Sequence, residues 1–216
     1  MMRTFRILLT VVATVVLSAC GNGSGQQNDG SPAAEHRADA VLENIRTRVT
    51  VRAYQNKPVE AEKVEKLLRA GMAAPTALNA QPWHFIVITD HELLRELSVV
   101  SPHTGVLASA PMAIAVCGDL KKALDGDERA YWIQDVAAAT ENILLAAHSM
   151  GLGATWTGSF PVESRHQTAE RVLGLPSHIK AVSIVAIGYP AIQPGVKYKY
   201  KEENISYNLY GQRSID

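Results

Sequence analysis

The sequence lacks the features that mark nucleic-acid-binding, metal-binding and disulfide-stabilised proteins. Lys and Arg together number 21, and so do Asp and Glu, so no net positive field attracts nucleic acid. The seven His residues show no spacing typical of metal ligands, such as His-Glu-x-x-His, and no recognisable nucleophile motif surrounds a Ser. With 47% hydrophobic residues, the chain can nevertheless form a sizeable core without a metal or a disulfide.

Cysteine is scarce, and its two positions have different meanings. Cys20 ends the N-terminal segment, whereas Cys117 lies within an apolar run. Cys117 therefore has no partner for an intrachain disulfide in the body of the chain. No activating neighbour is evident, so we interpret Cys117 as a buried small apolar residue rather than a nucleophile.

The N-terminal segment has a positively charged start followed by a short apolar run. Arg3 and Arg6 precede the eleven-residue apolar run 7–17. This run is too short to span a bilayer comfortably. The next residues complete Leu-Ser-Ala-Cys at 17–20, which resembles a bacterial lipobox. The resemblance implies cleavage before Cys20 and its lipidation, and an ordinary secretory signal with a chance Cys is the alternative.

The lipobox interpretation divides the chain into three parts. We expect a lipoprotein signal peptide over residues 1–19, a lipidated Cys20 with a polar, Gly- and Ser-rich tether over residues 20–37, and a folded domain over residues 38–216. No second apolar stretch is long enough to span a membrane, so the lipid would be the only membrane contact. The predicted location is the bacterial cell envelope, outside the cytoplasm.

A long helix is predicted over residues 132–150, because this stretch has no Pro or internal Gly and is rich in Ala and Leu. Apolar residues occur nearly all round it, which indicates burial. Asp135, Asn142 and Ser149 recur every seven residues and form a thin polar stripe. The small Ala side chains let another backbone come close, so the pattern fits equally a core helix of a monomer and a helix that packs on its copy in a dimer.

Shorter helical and strand patterns surround this helix. Helices are predicted near residues 38–48, from residue 58 to about 72, after residue 90 and over 162–173, and buried strands at 85–89, 112–117 and 181–188. Asp90 is expected to cap the helix that follows it. Met72 is expected to face inward at the end of the second helix.

Two polar segments could bind a ligand. In residues 48–52, Arg-Val-Thr-Val-Arg, alternation points Arg48, Thr50 and Arg52 to one side. Two guanidiniums beside a hydroxyl could hold a phosphate or another anion, although an exposed basic edge explains the same residues. Residues 75–85 contain two Pro with Thr, Asn and Gln, and we expect an ordered loop whose polar groups could face a heterocycle.

Two further segments are weaker candidates. Residues 157–159, Thr-Gly-Ser, could offer backbone N–H groups to a ligand. The tail 197–210 alternates Lys with Tyr at its start and could lie over a partner as an arm that reaches an anion. A solvated terminus explains the same alternation.

Taken together and in order, these segments resemble the FMN-dependent nitroreductase family. Its Arg-x-Ser-x-Arg opening is similar to residues 48–52, with Thr50 in place of Ser, and its Pro- and Asn-containing loop is similar to residues 75–85. Further stretches of similarity lie at 135–142, 152–158, 174–176, 187–190 and in the Lys/Tyr tail. The resemblance implies an α+β fold with a mostly antiparallel sheet flanked by helices, and a homodimer with a long central helix.

The resemblance also implies an FMN site at the dimer interface. Its expected FMN-binding residues are Arg48, Val49, Thr50, Arg52, Pro75, Thr76, Ala77, Asn79, Thr157, Gly158, Ser159, Lys199 and Lys201. The segment 48–52 and the two Lys would hold the phosphate and ribityl chain, with Arg52 at the N1/O2 side of the ring and Val49 contributing only its backbone. Residues 75–79 would come from the other subunit, and 157–159 would face N5 and O4. No catalytic side chain is implied.

We therefore expect an FMN-dependent oxidoreductase that reduces a small electrophile, such as a nitroaromatic or a quinone, by ping-pong two-electron transfer. A lipid-anchored domain outside the cytoplasm has no obvious NAD(P)H pool, so the identity of the electron donor stays open. Two alternatives are a lipoprotein that binds or delivers FMN without turnover, and an enzyme of the same fold that consumes reduced flavin.

Overall fold

The computed structural model describes residues 32–215, so the predicted signal peptide, Cys20 and most of the tether lie outside the described residues. The chain divides between residues 37 and 38 into two units, and the second holds every element except the start of the first helix. None of the described helices is long and apolar enough to cross a membrane.

Within residues 32–215 the chain forms five α-helices and four strands. The helices are α1 (Pro32–Thr47), α2 (Ala61–Met72), α3 (His91–Ser98), α4 (Tyr131–Ser149) and α5 (Glu163–Val172). The strands are β1 (Trp83–Ile88), β2 (Met112–Asp119), β3 (Gly153–Gly158) and β4 (Ile179–Gly188). Short 3-10 turns lie at Ala77–Asn79, Gly105–Ser109, Gly126–Ala130 and Glu202–Asn204.

The strands form one sheet in the order β1-β2-β4-β3, and every neighbouring pair is antiparallel. The central strands β2 and β4 are buried almost throughout, as their unbroken apolar runs predict for strands covered on both faces. The edge strands β1 and β3 contain both buried and exposed residues, because only part of each is covered.

Helices cover both faces of the sheet. Residues of α2 and α4 pack on one face in a cluster that includes Leu67, Ile143 and Val185. Residues of α3 and α5 pack on the other face in a cluster that includes Leu94 and Ala169. This arrangement confirms the α+β fold with a mostly antiparallel sheet flanked by helices.

Helix α4 begins and ends one residue earlier than the predicted range 132–150. It ends where Gly151 adopts a positive φ of 73°, and the next amide, that of Leu152, donates to the carbonyl of Ala147 at 2.9 Å. Gly is favoured there because a side chain disfavours the left-handed conformation. At the other end, Gly118 of β2 makes room for Trp132, since a Cβ at Gly118 would lie 2.3 Å from the indole ring.

The polar stripe of α4 fixes the segments that pack beside it. The carboxylate of Asp135 accepts a hydrogen bond from the amide of Ala77 at 3.0 Å. The side-chain amide of Asn142 donates to the carbonyl of Ala70 at 3.0 Å. The stripe therefore attaches the end of α2 and the following loop to α4.

One expectation about a helix face was wrong. Met72 is exposed rather than inward, because Gly71 takes the buried position, where an added Cβ would lie 3.1 Å from Ile143. Helix α1 has no buried residue among those described, and its apolar Val41, Leu42 and Ile45 are exposed. The capping role of Asp90 is confirmed, because its side chain accepts from the amides of the next helix.

Candidate functional site

The segment 48–52 lies along the open edge of β3. Thr50 forms a parallel bridge with Ala154, and the amide of Val51 donates to the carbonyl of Ala154 at 3.1 Å. Val51 is buried against Gly153, where an added Cβ would lie 2.6 Å from the Cβ of Val51. Glycine at 153 is therefore what allows the segment to approach the sheet so closely.

The bridge also decides which way the side chains of the segment point. Bridged residues share a face of the sheet, so Thr50 lies on the same face as Ala154, which packs in the α4 cluster. Because side chains alternate along an extended chain, Arg48 and Arg52 lie on that face as well. The predicted grouping of two guanidiniums with one hydroxyl is therefore present.

The side chain of Tyr54 holds the segment 48–52 in place through hydrogen bonds. Its hydroxyl lies 2.7 Å from the carbonyl oxygen of Val51 and 3.1 Å from that of Ala186, and the hydroxyl of Thr155 also donates to Val51. Burial raises the pKa of Tyr54 to about 12, so the hydroxyl stays protonated and able to donate at neutral pH. The arrangement fixes the backbone that carries Arg52.

A groove of about 1020 Å³ opens beside this segment. We call it the cationic groove, because five cationic side chains and one carboxylate line it. Its charged and polar lining comprises Arg46, Arg48, Thr50, Arg52, Glu141, Lys197, Tyr198, Lys199 and Tyr200. Val49, Ala53 and the apolar residues of 192–196 complete the wall together with Ile45.

Part of this positive charge is already neutralised. Arg46 donates two hydrogen bonds of 2.8 and 2.7 Å to Glu43, and Arg48 forms an ion pair with Glu141 at 3.4 Å. Arg52 and Lys199 have no ion pair with another side chain of the described residues. The cationic groove thus keeps positive charge that suits a phosphate or another polyanion.

The predicted loop is strained and exposed. Leu78, Asn79 and Gln81 all have positive φ, at 48°, 56° and 50°, which costs non-glycine residues on the order of 1–2 kcal/mol each. The side-chain amide of Gln81 donates to the side-chain oxygen of Asn79 at 2.9 Å, and the backbone amide of Gln81 donates to the hydroxyl of Thr76 at 3.2 Å. We call residues 75–81 the strained loop. Such strain is typical of functional sites, and here it leaves Leu78 80% exposed.

The strained loop and the cationic groove lie at different faces of α4 within one chain. The loop attaches through Asp135, and the groove includes Glu141. Six helical residues separate these positions by about 9 Å along the axis and about 120° around it. Pro75, Thr76, Ala77 and Asn79 accordingly do not line the groove that contains Arg48.

At the end of β3 the backbone amide of Gly158 is turned away from the partner strand β4. The hydroxyl of Thr157 donates to the carbonyl of Ile184 at 2.6 Å, and the amide of Ser159 donates to Val182 at 3.0 Å. Since amides alternate in direction along an antiparallel strand, the amide of Gly158 points away from β4. Gly158 is exposed, and an added Cβ would meet nothing within 4 Å.

The two tail lysines differ in position. Lys199 lines the cationic groove, whereas Lys201 does not and lies 3.6 Å from Glu203 in an exposed ion pair. Tyr198 and Tyr200 are exposed along the same segment. Among the described residues no cluster of three potential metal ligands occurs.

Sequence analysis missed three residues at the site. Tyr54 supports the segment, Glu141 lines the groove, and Trp156 stands 38% exposed on the face of β3 shared with Thr50. Glu141 carried a usable signal, because it is one of two acidic residues in an Ala- and Leu-rich helix. Trp156 lay within 152–158, a stretch already singled out for its resemblance to the family.

Comparison with known proteins decides the family. The nitroreductase family model matches residues 45–103 and 97–189. The chain belongs to the nitroreductase family. A protein of Methanothermobacter thermautotrophicus, named as an NADH dehydrogenase/NAD(P)H nitroreductase, is 42% identical over 167 residues, covering 76% of this chain and 85% of that protein. The predicted family is therefore confirmed.

Solved structures agree with this assignment. A Bacteroides thetaiotaomicron protein described in the same terms is 43% identical, with a TM-score of 0.75 over 79% of this chain and 98% of that one. A nitroreductase from Desulfovibrio desulfuricans in complex with FMN is 29% identical, with a TM-score of 0.70 over 79% and 97% of the two chains. The protein is thus an oxidoreductase of the nitroreductase family.

We predict that Gly153→Ala displaces the segment 48–52 from β3. The added methyl group would overlap Val51, and such overpacking typically costs about 1–3 kcal/mol. Hydrogen exchange of the Val51 amide should accelerate, because its acceptor is the carbonyl of Ala154. Gly158→Ala is the control, since space is open there. Unchanged protection of Val51 in Gly153→Ala would refute the packing described here.

Proposed function

We propose that the cationic groove binds FMN and that the protein is an FMN-dependent oxidoreductase reducing a small electrophile of the nitroaromatic or quinone type. The observation that carries the proposal is the convergence of Arg48, Thr50, Arg52 and Lys199 on one groove with positive charge to spare. The FMN complex of the Desulfovibrio relative supports it.

The residues present fit the phosphate end of FMN. Arg48 and Lys199 supply charge-assisted donors, and Thr50 supplies a hydroxyl on the same face. Val49 would contribute its backbone, and Lys201 could join only by exchanging its ion pair with Glu203. These groups together suit a dianion better than a neutral ligand.

The flavin ring would lie towards Arg52 and the end of β3. Bound FMN would supply two-electron redox chemistry. Arg52 would place a fixed positive charge at the N1/O2 side, where negative charge develops, and such preorganised charge is worth on the order of a few kcal/mol. At the end of β3, where Thr157 and Ser159 are engaged with β4, the amide of Gly158 would donate to the N5/O4 side.

Electron donor and acceptor would occupy the same groove in turn, which predicts ping-pong kinetics. Water can protonate the product, so no side chain of the groove needs to act as an acid or base. The nicotinamide cofactors are one class of donor, and a location outside the cytoplasm would favour another.

We further propose that a second copy of the chain completes the site. The strained loop does not line the groove of its own chain, so Pro75, Thr76, Ala77 and Asn79 could reach the groove of a partner. The exposed apolar residues of α1 and the exposed Leu78 support this proposal, because a partner would remove them from water. The small residues on the outer side of α4 would form the seam.

If α4 forms the dimer seam, Ala138→Arg should produce folded monomers that no longer retain FMN. The substitution forces two backbones apart and buries an unpaired charge. Sedimentation velocity with flavin absorbance measures both effects, and circular dichroism checks the fold. Glu62→Arg on the exposed side of α2 is the matched control. A dimeric, flavin-bound Ala138→Arg protein would show that Ala138 lies outside the seam.

We also propose that Cys20 carries a lipid that anchors the domain to a membrane of the bacterial cell envelope. The Leu-Ser-Ala-Cys sequence at 17–20 after a short apolar run supports this proposal. In a bacterial host, Cys20→Ser should move the protein from the membrane fraction to the soluble fraction, whereas Cys117→Ser should not. Equal membrane association of wild type and Cys20→Ser would contradict lipidation at Cys20.

The principal test is FMN loading of the full chain purified in detergent. Wild type should bind FMN, lose its yellow colour with a reductant and recover it with a nitroaromatic or a quinone. Gly158→Val should fold but fail to load, since its side chain would fill the open space where the flavin ring is proposed to lie, while Gly105→Val should load normally. A folded wild type that cannot be loaded would overturn the proposal, and loading without turnover would favour a flavin carrier.

A further inference from the structure

Glu141 occupies a position in the cationic groove that the proposed FMN contacts do not explain. It is the one carboxylate among the lining residues, and an acidic group disfavours a phosphate in the same groove. Its side chain is 46% exposed, so the carboxylate could turn towards water. Instead, its Oε1 lies 3.4 Å from Nε of Arg48.

The geometry of this ion pair leaves the rest of the guanidinium available. Arg presents five N–H donors in a planar fork, and Glu141 approaches the Nε side. Within residues 32–215, Arg48 has no other side-chain ion pair. The terminal Nη1 and Nη2 groups can therefore bind a phosphate while Nε still faces the carboxylate.

Helix α4 holds the start of the segment at a second point. His148 lies seven residues after Glu141, on the same face of α4, and its Nε2 is 2.9 Å from the hydroxyl of Thr47. Burial and the positive charge of Arg48 lower the pKa of His148, so the ring is neutral at neutral pH and does not compete for the phosphate. Two residues of α4, Glu141 and His148, thus hold Arg48 and the residue before it, and the side chain of Arg48 is only 19% exposed.

We propose that Glu141 is a positioning residue: it orders Arg48 through Nε before ligand binds, so that the terminal guanidinium groups face the phosphate of FMN. The proposal rests on the proposed function of the groove. An ordered Arg loses less side-chain freedom on binding, and that gain outweighs the repulsion between the carboxylate and the phosphate.

Comparison of FMN with riboflavin, which lacks the phosphate, tests this proposal. Dissociation constants for both flavins are measured by fluorescence quenching on the full chain. Glu141→Ala should weaken FMN binding about tenfold and change riboflavin binding less than about twofold. Glu141→Gln should restore part of the loss, because its amide oxygen would stand where the carboxylate oxygen lies 3.4 Å from Nε of Arg48.

A double-mutant cycle shows whether Glu141 acts through Arg48. In an Arg48→Gln background, Glu141→Ala should cause no further loss of FMN affinity, because there is no guanidinium left to orient. Glu65→Ala is the matched control, since Glu65 pairs with Arg69 on α2 and does not line the groove. It should alter neither dissociation constant.

Three results would overturn the positioning role. Equal weakening of FMN and riboflavin by Glu141→Ala would indicate a general structural effect. Tighter FMN binding in Glu141→Ala would show that the carboxylate only competes with the phosphate. An undiminished loss in the Arg48→Gln background would show that Glu141 acts without Arg48. A wild type that binds neither flavin would instead refute the proposed function, and the positioning role with it.

Discussion

The close packing of residues 48–52 on the edge of β3 is the constraint on which the site depends. It requires Gly153, because any side chain there would displace Val51, and it is secured by the buried hydroxyl of Tyr54. Because Thr50 is bridged to Ala154, the alternation of side chains along the segment places Arg48, Thr50 and Arg52 on the same face as Ala154. The side on which Arg48, Thr50 and Arg52 lie therefore follows from a steric requirement in the core.

This packing explains why the site is open on one side. One chain supplies the cationic groove, its own tail and the outward-pointing amide of Gly158, but its strained loop is held by Asp135 on another face of α4. On the proposed function, a second subunit would bring its own strained loop to the open side of this site.

Sequence reasoning predicted the sheet, the long helix and the family because their signals are local. Unbroken apolar runs predict β2 and β4. The alternation in 48–52 predicts that Arg48 lies on the same side as Thr50 and Arg52. The exposure of Met72 could not be predicted, because it depends on Gly71 packing against Ile143 across helices. The pairing of Glu141 with Arg48 joins residues 93 positions apart, and no periodicity reports such a contact.

A crystal structure of the protein grown with FMN tests the central claim most directly. The account predicts the phosphate within hydrogen-bonding distance of Arg48 and Thr50, the ring beside Arg52 and Gly158, and Asn79 of a second subunit at the same flavin. Flavin bound elsewhere, or a single subunit with the groove empty at saturating FMN, would contradict it.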